Sequence, residues 1–254
     1  MNASTDQNLH IGLSKVFFRM LIGFFSGLIG TMILGIILFI AWGVVGDTIQ
    51  EVRFSPSKSI NPAQENTEVH PLFLNFITLA MFLSSLAATI CYGAMKSNSE
   101  GRQATLTTTL THIFIGNLVI LVMMLPLYFS ASEMDNQTGI VLSTIVHAVM
   151  ACMHTYMSME IIHEDKHLIV HLFGVIFGVA LFCWISTFVI SNLSVFIFLT
   201  LPLLLSMIAG GSTIVQMFYQ WIQAVYGEDY LHNNRKFGGD FANEQTDEVS
   251  FDDI

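Results

Sequence analysis

The order of apolar and polar positions divides the chain into six long apolar stretches joined by polar segments. A helix needs about 20 apolar residues to cross a hydrocarbon layer about 30 Å thick, since each residue adds about 1.5 Å. In lipid, each backbone amide must find a partner within its own segment, which favours helices. The pattern therefore predicts six spanning helices, at residues 16–45, 72–95, 106–129, 139–162, 168–190 and 193–209.

The composition supports a membrane protein. Of 254 residues, 53% are apolar and 11% are charged, whereas about a quarter of the residues in soluble domains are charged. No basic surface suited to nucleic acid is evident, and the three cysteines show no zinc-ligand spacing. We therefore expect an all-α, polytopic transmembrane helical bundle whose surroundings are the lipid bilayer.

The positions of the basic residues predict the orientation in the membrane. With six spans, seven of the nine Lys and Arg residues fall on one side, and Lys and Arg accumulate on the cytoplasmic side. We expect both termini in the cytoplasm, most simply in a bacterial-type inner membrane. Residues 1–15 then form a cytoplasmic segment, 16–226 the membrane domain with a long outer loop at 46–71, and 227–254 an acidic tail.

The last part of the chain is expected to contain two helices and a tail. Pro202 removes a backbone hydrogen-bond donor, and Gly210 with Gly211 offers a hinge. Residues 212–226 then read as an amphipathic helix at the membrane boundary or against a partner. The tail after it carries eight acidic residues and two basic ones, which is typical of a segment that stays disordered unless bound.

Small residues recur in the first span at Gly23, Gly27 and Gly30. In membranes, glycines at this spacing allow two helix backbones to approach closely. The pattern predicts a helix-packing face, either within the chain or between subunits. Ordinary glycine abundance in spans would account for it equally well.

The fourth span carries a polar stripe. At 100° per residue, Ser143, His147, His154 and Ser158 lie within about 40° of one line along the helix. Polar groups are costly in hydrocarbon, so we expect this face to point into the bundle.

Several histidines are expected near the cytoplasmic ends of the spans. His112, His154 and His171 lie a few turns inside, with Glu160 and His163 at the boundary. Imidazole and carboxylate groups could hold haem b or a transition metal there. Hydrogen-bonded packing and loop histidines are the simpler interpretation, so no cofactor is our first expectation.

Three functions stay open. The leading hypothesis is a non-enzymatic subunit of a larger membrane complex, such as a secretion, conjugation or envelope machine, with other membrane proteins or further copies of itself as partners. The alternatives are a small transporter or channel that uses the polar face of the fourth span, and a haem- or metal-binding oxidoreductase. No pattern of catalytic residues is recognisable.

Overall fold

A computed structural model describes residues 12–45, 71–133, 137–163, 167–189 and 193–244. Within these ranges the chain is helical, without strands. The helices are α1 (Leu13–Val45), α2 (Pro71–Ser99), α3 (Leu106–Glu133), α4 (Gln137–Ile162), α5 (Leu168–Val189) and α6 (Leu193–Glu244), with a 3-10 turn at Gln103–Thr105. All six α-helices are long and apolar enough to cross a membrane, which confirms the predicted polytopic helical class. The predicted outer loop at 46–71 lies almost entirely outside the described residues.

The six helices form a closed bundle in which α6 contacts α1, α4 and α5. This helix lies between α1 and α5, while α2 packs against α1 and α3, and α4 lies against α3 and closes the bundle through α2, α5 and α6. The main apolar core includes Tyr92, Tyr156, Leu204 and Ile208, all at most 1% exposed. The outward faces are also apolar, with Phe39 80% and Phe188 75% exposed, as expected for helices that face lipid.

Glycines determine how closely the helices approach α6 and α2. A Cβ atom at Gly23 would lie 2.6 Å from the carbonyl oxygen of Leu205 in α6, and one at Gly27 would overlap the backbone of Pro202. Gly30 instead faces α2, where a Cβ atom would lie 2.6 Å from the carbonyl oxygen of Ser84. The three predicted packing glycines therefore lie in contacts within the chain.

Glycines also allow close approach between α6 and α5. A Cβ atom at Gly174 of α5 would lie 2.5 Å from the Cα atom of Ser212, and one at Gly211 would lie 2.7 Å from the Cα atom of Gly178. Gly210 faces Met20 of α1. Both glycines predicted as a hinge are thus packing positions between α6 and its two neighbours.

The expected break in the sixth segment is wrong, since α6 runs without interruption through Pro202, Gly210 and Gly211. Pro202 cannot donate to the carbonyl oxygen of Phe198, one turn before it. The hydroxyl of Thr31 in α1 donates to that oxygen instead, over 3.0 Å. A neighbouring hydroxyl that satisfies the freed carbonyl is the usual way in which a membrane helix tolerates proline.

The C-terminal part also differs from the expectation. The apolar part of α6 continues to Gln223 instead of ending at residue 209, so most of the predicted boundary helix at 212–226 continues the sixth candidate span. Helix geometry persists to Glu244, past the predicted start of the tail at 227. An established helix gains one hydrogen bond for each residue added, which favours this continuation. Residues 245–254 lie outside the described part.

Candidate functional site

Charged side chains from three helices, with a histidine from a fourth and a glutamine from a fifth, meet at one end of the bundle. Here α1 and α5 begin, α2 and α4 end, and α6 leaves its apolar part. Buried there are Lys96, Glu160, His171 and Arg19, exposed by 1%, 3%, 3% and 9%. We use the name charge cluster for these and their polar partners: Arg19, Lys96, Glu100, Glu160, His171 and Gln216.

The centre of the charge cluster is an ion pair between Lys96 and Glu160. Lys96 lies in the last turn of α2, and Glu160 lies two residues before the end of α4. The ammonium group donates to the Oε1 atom of Glu160. It also lies 4.4 Å from the centroid of the Tyr156 ring, within the range of a cation–π interaction. Two helix ends that carry opposite charges are thus joined out of contact with water.

The second carboxylate oxygen of Glu160 connects the pair to α5 and α6. The Nε2 atom of His171 lies 3.5 Å from the Oε2 atom of Glu160. The side-chain amide of Gln216 is hydrogen-bonded to the same imidazole. Glu160 therefore contacts Lys96 of α2 and His171 of α5, and His171 in turn connects it to α6.

Arg19 completes the charge cluster from α1. One guanidinium nitrogen lies 2.7 Å from a carboxylate oxygen of Glu100, which directly follows α2. The other donates to Thr213 and Gln216 of α6, each over 3.2 Å. Arg19 thus fastens the start of α1 to the end of α2 and to α6.

The charges of Arg19, Lys96, Glu100 and Glu160 sum to zero. Buried ion pairs gain little net stability, because desolvation offsets their attraction, but loss of one partner is costly. Such a network therefore favours one arrangement of the helices over others. At its edge, beyond the end of α4, burial and the positive charges of Arg102 and Lys96 lower the pKa of His163.

The polar stripe of α4 divides between two environments. Ser143 and His147 are 1% and 0% exposed; the Ser143 hydroxyl donates to the carbonyl of Gly139, and the Tyr128 hydroxyl lies 3.3 Å from the Nδ1 atom of His147. Ser158 and His154 are half-buried and bonded to each other over 3.2 Å. Each of these four side chains therefore has a hydrogen-bond partner within the described part of the chain, whereas the Nε2 atom of His147 and the Nδ1 atom of His154 are buried without one.

His154 lies against α3. A Cβ atom at Gly116 would overlap its imidazole, so the absence of a side chain there makes room for the ring. His112 and His154 line the same groove between α3 and α4, of about 490 Å³, together with apolar residues that include Met123, Met150 and Met153.

The residues proposed for a metal or haem do not meet at one point. His112 and His154 border the groove, while Glu160 and His171 belong to the charge cluster and His163 lies at its edge. Within the described residues, no three His, Cys, Asp or Glu side chains are close enough to hold a metal ion together. The structure thus separates the expected set into two pairs and one boundary residue.

Sequence reasoning missed most of the charge cluster. In the sequence, Arg19 and Lys96 count only among the basic residues that predict the orientation, Gln216 belongs only to the predicted boundary helix at 212–226, and Glu100 has no predicted role. A usable signal was present: bases at the end of one span and an acid at the end of another fall on the same side when there are six spans.

Comparison with known proteins finds no matching family model, no similar curated protein and no similar solved structure. Arguments about function therefore depend on the geometry of this chain.

Proposed function

We propose that the protein is a non-enzymatic integral membrane subunit of a larger assembly, such as a secretion, conjugation or envelope machine. The supporting observation is the length of α6, which has 52 residues. At about 1.5 Å per residue it extends about 78 Å, against about 30 Å for the hydrocarbon layer. Its candidate membrane span reaches at least Gln223. The remaining helical residues, 224–244, are called the α6 extension.

The α6 extension is suited to binding. Most of the stability of a helix in a protein comes from packing rather than from intrinsic propensity. The extension is polar and contains three glycines, Gly227, Gly238 and Gly239, which lower helix propensity further. A partner that packs against it would supply the missing stabilisation.

The charge cluster supports this role because it fixes the part of α6 that directly precedes the α6 extension. Gln216 and Thr213 lie two to three turns before residue 224 and are hydrogen-bonded to Arg19 and, for Gln216, to His171. The helix is thus fixed at the point where it leaves the bundle. Because this part of α6 is held in place before binding, less conformational entropy is lost when a partner binds the extension.

The orientation belongs to the same proposal. The α6 extension lies at the charged end of the bundle, and we place that end in the cytoplasm of a bacterial-type inner membrane. Reporter fusions at both termini test it: a cytoplasmic reporter should be active after Ile254 and before Met1, and a periplasmic reporter should be inactive at both. A periplasmic signal at either terminus would contradict this orientation.

The subunit proposal is tested by purification from native membranes in mild detergent. The full chain should be recovered with other subunits in constant ratio, and a chain that ends at Gln223 should lose them while keeping the same thermal unfolding transition. A full chain that runs as one copy without other subunits contradicts the proposal. So does a shortened chain that keeps all of them.

One observation favours a second candidate, proton-linked or ion-linked transport. Glu160 is 3% exposed and contacts Lys96 and His171, and ionisable groups buried in membrane proteins often mark transport pathways. Flux of protons into liposomes that contain the protein tests it. Proton flux that is present in the wild type and abolished in Lys96→Met/Glu160→Gln, which leaves no unpaired buried charge, supports proton-linked transport, and the absence of flux in the wild type removes it.

A further inference from the structure

The connection between α2 and α3 places Arg102 at the edge of the charge cluster. Helix α2 ends in a Schellman motif, in which the backbone amide of Gly101 donates to the carbonyl oxygen of Asn98 over 3.2 Å and that of Arg102 to the carbonyl oxygen of Ser97 over 2.8 Å. Gly101 has a φ of 70°, a left-handed conformation that glycine adopts without a steric penalty. The chain therefore leaves α2 in a fixed geometry at Arg102.

The guanidinium group of Arg102 has donors to spare. Its Nε atom lies 3.6 Å from one carboxylate oxygen of Glu100, and the other oxygen of that carboxylate is bound by Arg19 over 2.7 Å. The Nη1 atom of Arg102 is buried, and no group in the described ranges accepts a hydrogen bond from it. A buried charged donor without an acceptor is costly, so this atom indicates a binding position.

His163 is a second group with unused hydrogen-bonding capacity. It directly follows α4, and its backbone amide donates to the carbonyl oxygen of Met159. Both ring nitrogens are buried, and neither has a partner among the residues that the structure describes. The positive charge of Arg102 acts on this imidazole. The two groups therefore lie in the same region, although they come from different parts of the chain.

Positive charge is in excess at this edge. Arg19, Lys96, Glu100 and Glu160 cancel, and Arg102 and Lys15 add two positive charges beyond that balance. Lys15 of α1 is exposed and lies within electrostatic range of Glu100 and Arg102. Water would satisfy the free nitrogen atoms but would leave the two charges unbalanced. An anion satisfies both requirements.

We propose that Arg102, His163 and Lys15 bind an anionic phosphate group, which belongs to a lipid headgroup or to a soluble phosphate. We call these three residues the phosphate site. Phosphate oxygens accept strong, charge-assisted hydrogen bonds from guanidinium, imidazole and ammonium groups. The inference goes beyond the proposed function and needs no partner subunit.

The position of the phosphate site suits both sources of phosphate. Arg102 and His163 lie just past the second and fourth candidate spans, which end at Ser99 and Ile162. Lipid headgroups lie at the ends of spanning helices, and solutes reach the same depth from the water. In the orientation proposed above, this surface faces the leaflet that carries anionic lipids.

Thermal unfolding of the purified full chain in an uncharged detergent tests the phosphate site. A ligand that binds only the folded state raises the midpoint as its concentration rises, which gives an apparent affinity. One series compares sodium phosphate with sodium chloride at equal ionic strength. The other compares phosphatidylglycerol with phosphatidylcholine of the same acyl chains, whose headgroup has no net charge.

We expect Arg102→Gln and His163→Gln each to weaken the apparent affinity about tenfold or more, because each removes a hydrogen bond to a charged group. Arg102→Lys keeps the charge and should lose less. Arg53→Gln is the matched control: it removes the same charge from the connection between α1 and α2 and should bind as the wild type does. Without ligand, Arg102→Gln should unfold no earlier than the wild type, since the donor that it removes has no partner. If Arg102→Gln does unfold earlier, His163→Gln alone decides.

The two series distinguish the sources. A rise with phosphatidylglycerol alone assigns the site to a lipid headgroup, a rise with sodium phosphate alone assigns it to a soluble phosphate, and a rise with both means that the phosphate group itself is recognised. Each result supports the inference only if the rise is reduced in His163→Gln and kept in Arg53→Gln. No rise with either ligand overturns the inference. A rise that His163→Gln leaves unchanged, or that Arg53→Gln reduces equally, overturns it as well.

Discussion

Removing one member of the Lys96–Glu160 ion pair should destabilise the bundle strongly. The side chains are 1% and 4% exposed, so a lone charge left behind has almost no access to water. A buried charge without its partner costs about 3–5 kcal/mol. We therefore expect Glu160→Gln or Lys96→Met to lower the free energy of unfolding by about that amount, a hundredfold or more in the folded-to-unfolded ratio.

The double variant separates the lost partner from lost packing. Lys96→Met/Glu160→Gln keeps nearly the same volume and leaves no unpaired charge at the centre, so it should be less destabilised than either single variant. The coupling between the two sites should reach about 2 kcal/mol or more, as is usual for contacting residues in one network. Lys15→Met serves as a control, since Lys15 is exposed and surface changes are within about 0.5 kcal/mol.

The measurement is unfolding by SDS in mixed micelles, followed by circular dichroism and tryptophan fluorescence. Each variant gives a midpoint and a slope, from which the free energy of unfolding is compared at a common SDS fraction. Two results would refute the reasoning. One is a Glu160→Gln variant no less stable than Lys15→Met, and the other is a double variant whose loss equals the sum of the single losses.

Three further predictions use the same assay. Gly27→Ala should lower the free energy of unfolding by about 1–3 kcal/mol, because its Cβ atom would overlap the backbone of Pro202. Gly35→Ala is the control and should lower it little, because its Cβ atom would have an ordinary 3.5 Å contact. Equal losses in the two variants would contradict the packing argument. Thr31→Val should cost about 1–3 kcal/mol, because it leaves the part-buried carbonyl of Phe198, which Pro202 cannot reach, without its donor. No loss would mean that another group satisfies that carbonyl. The folded state lowers the pKa of His163, so near and below the usual histidine pKa of about 6.5 the unfolded chain binds more protons than the folded chain. The free energy of unfolding should therefore decrease as the pH is lowered through this range. That slope should be shallower in His163→Gln, and an unchanged slope assigns it to other groups.

The six helices were predictable because each stretch satisfies a one-dimensional rule of length and hydropathy. The fourth span was predicted at 139–162, and α4 runs Gln137–Ile162. The sixth was predicted to end at residue 209, whereas the apolar helix continues to Gln223. Pro202, Gly210 and Gly211 predict a break or hinge there, whereas neighbouring helices pack against both glycines and Arg19 is hydrogen-bonded to the side chain of Gln216.

The charge cluster could not be located by the same rule. Charges at the ends of spans indicate which side of the membrane they face, but not which ends meet. Lys96 and Glu160 are separated by 64 positions in the chain, and their contact depends on α2 and α4 being neighbours. That adjacency depends on the packing of the helices in three dimensions, which hydropathy does not encode. The polar stripe of the fourth span was visible as a pattern, yet its partners on α3 were not.

Among the described residues, the first and last helices, α1 and α6, are direct neighbours. Arg19 and Thr213, which are bonded, are separated by 194 positions. While the polypeptide emerges from the ribosome, α1 enters the membrane long before α6, the helix that packs against Gly23 and Gly27, has been made. Until α6 arrives, Arg19 lacks two of its acceptors and the groove beside Gly23 and Gly27 stands open to lipid. The bundle is therefore complete only once α6 has been made. A prematurely terminated chain exposes the face of α1 that α6 would cover, and quality-control proteases can distinguish it from the finished protein by that face.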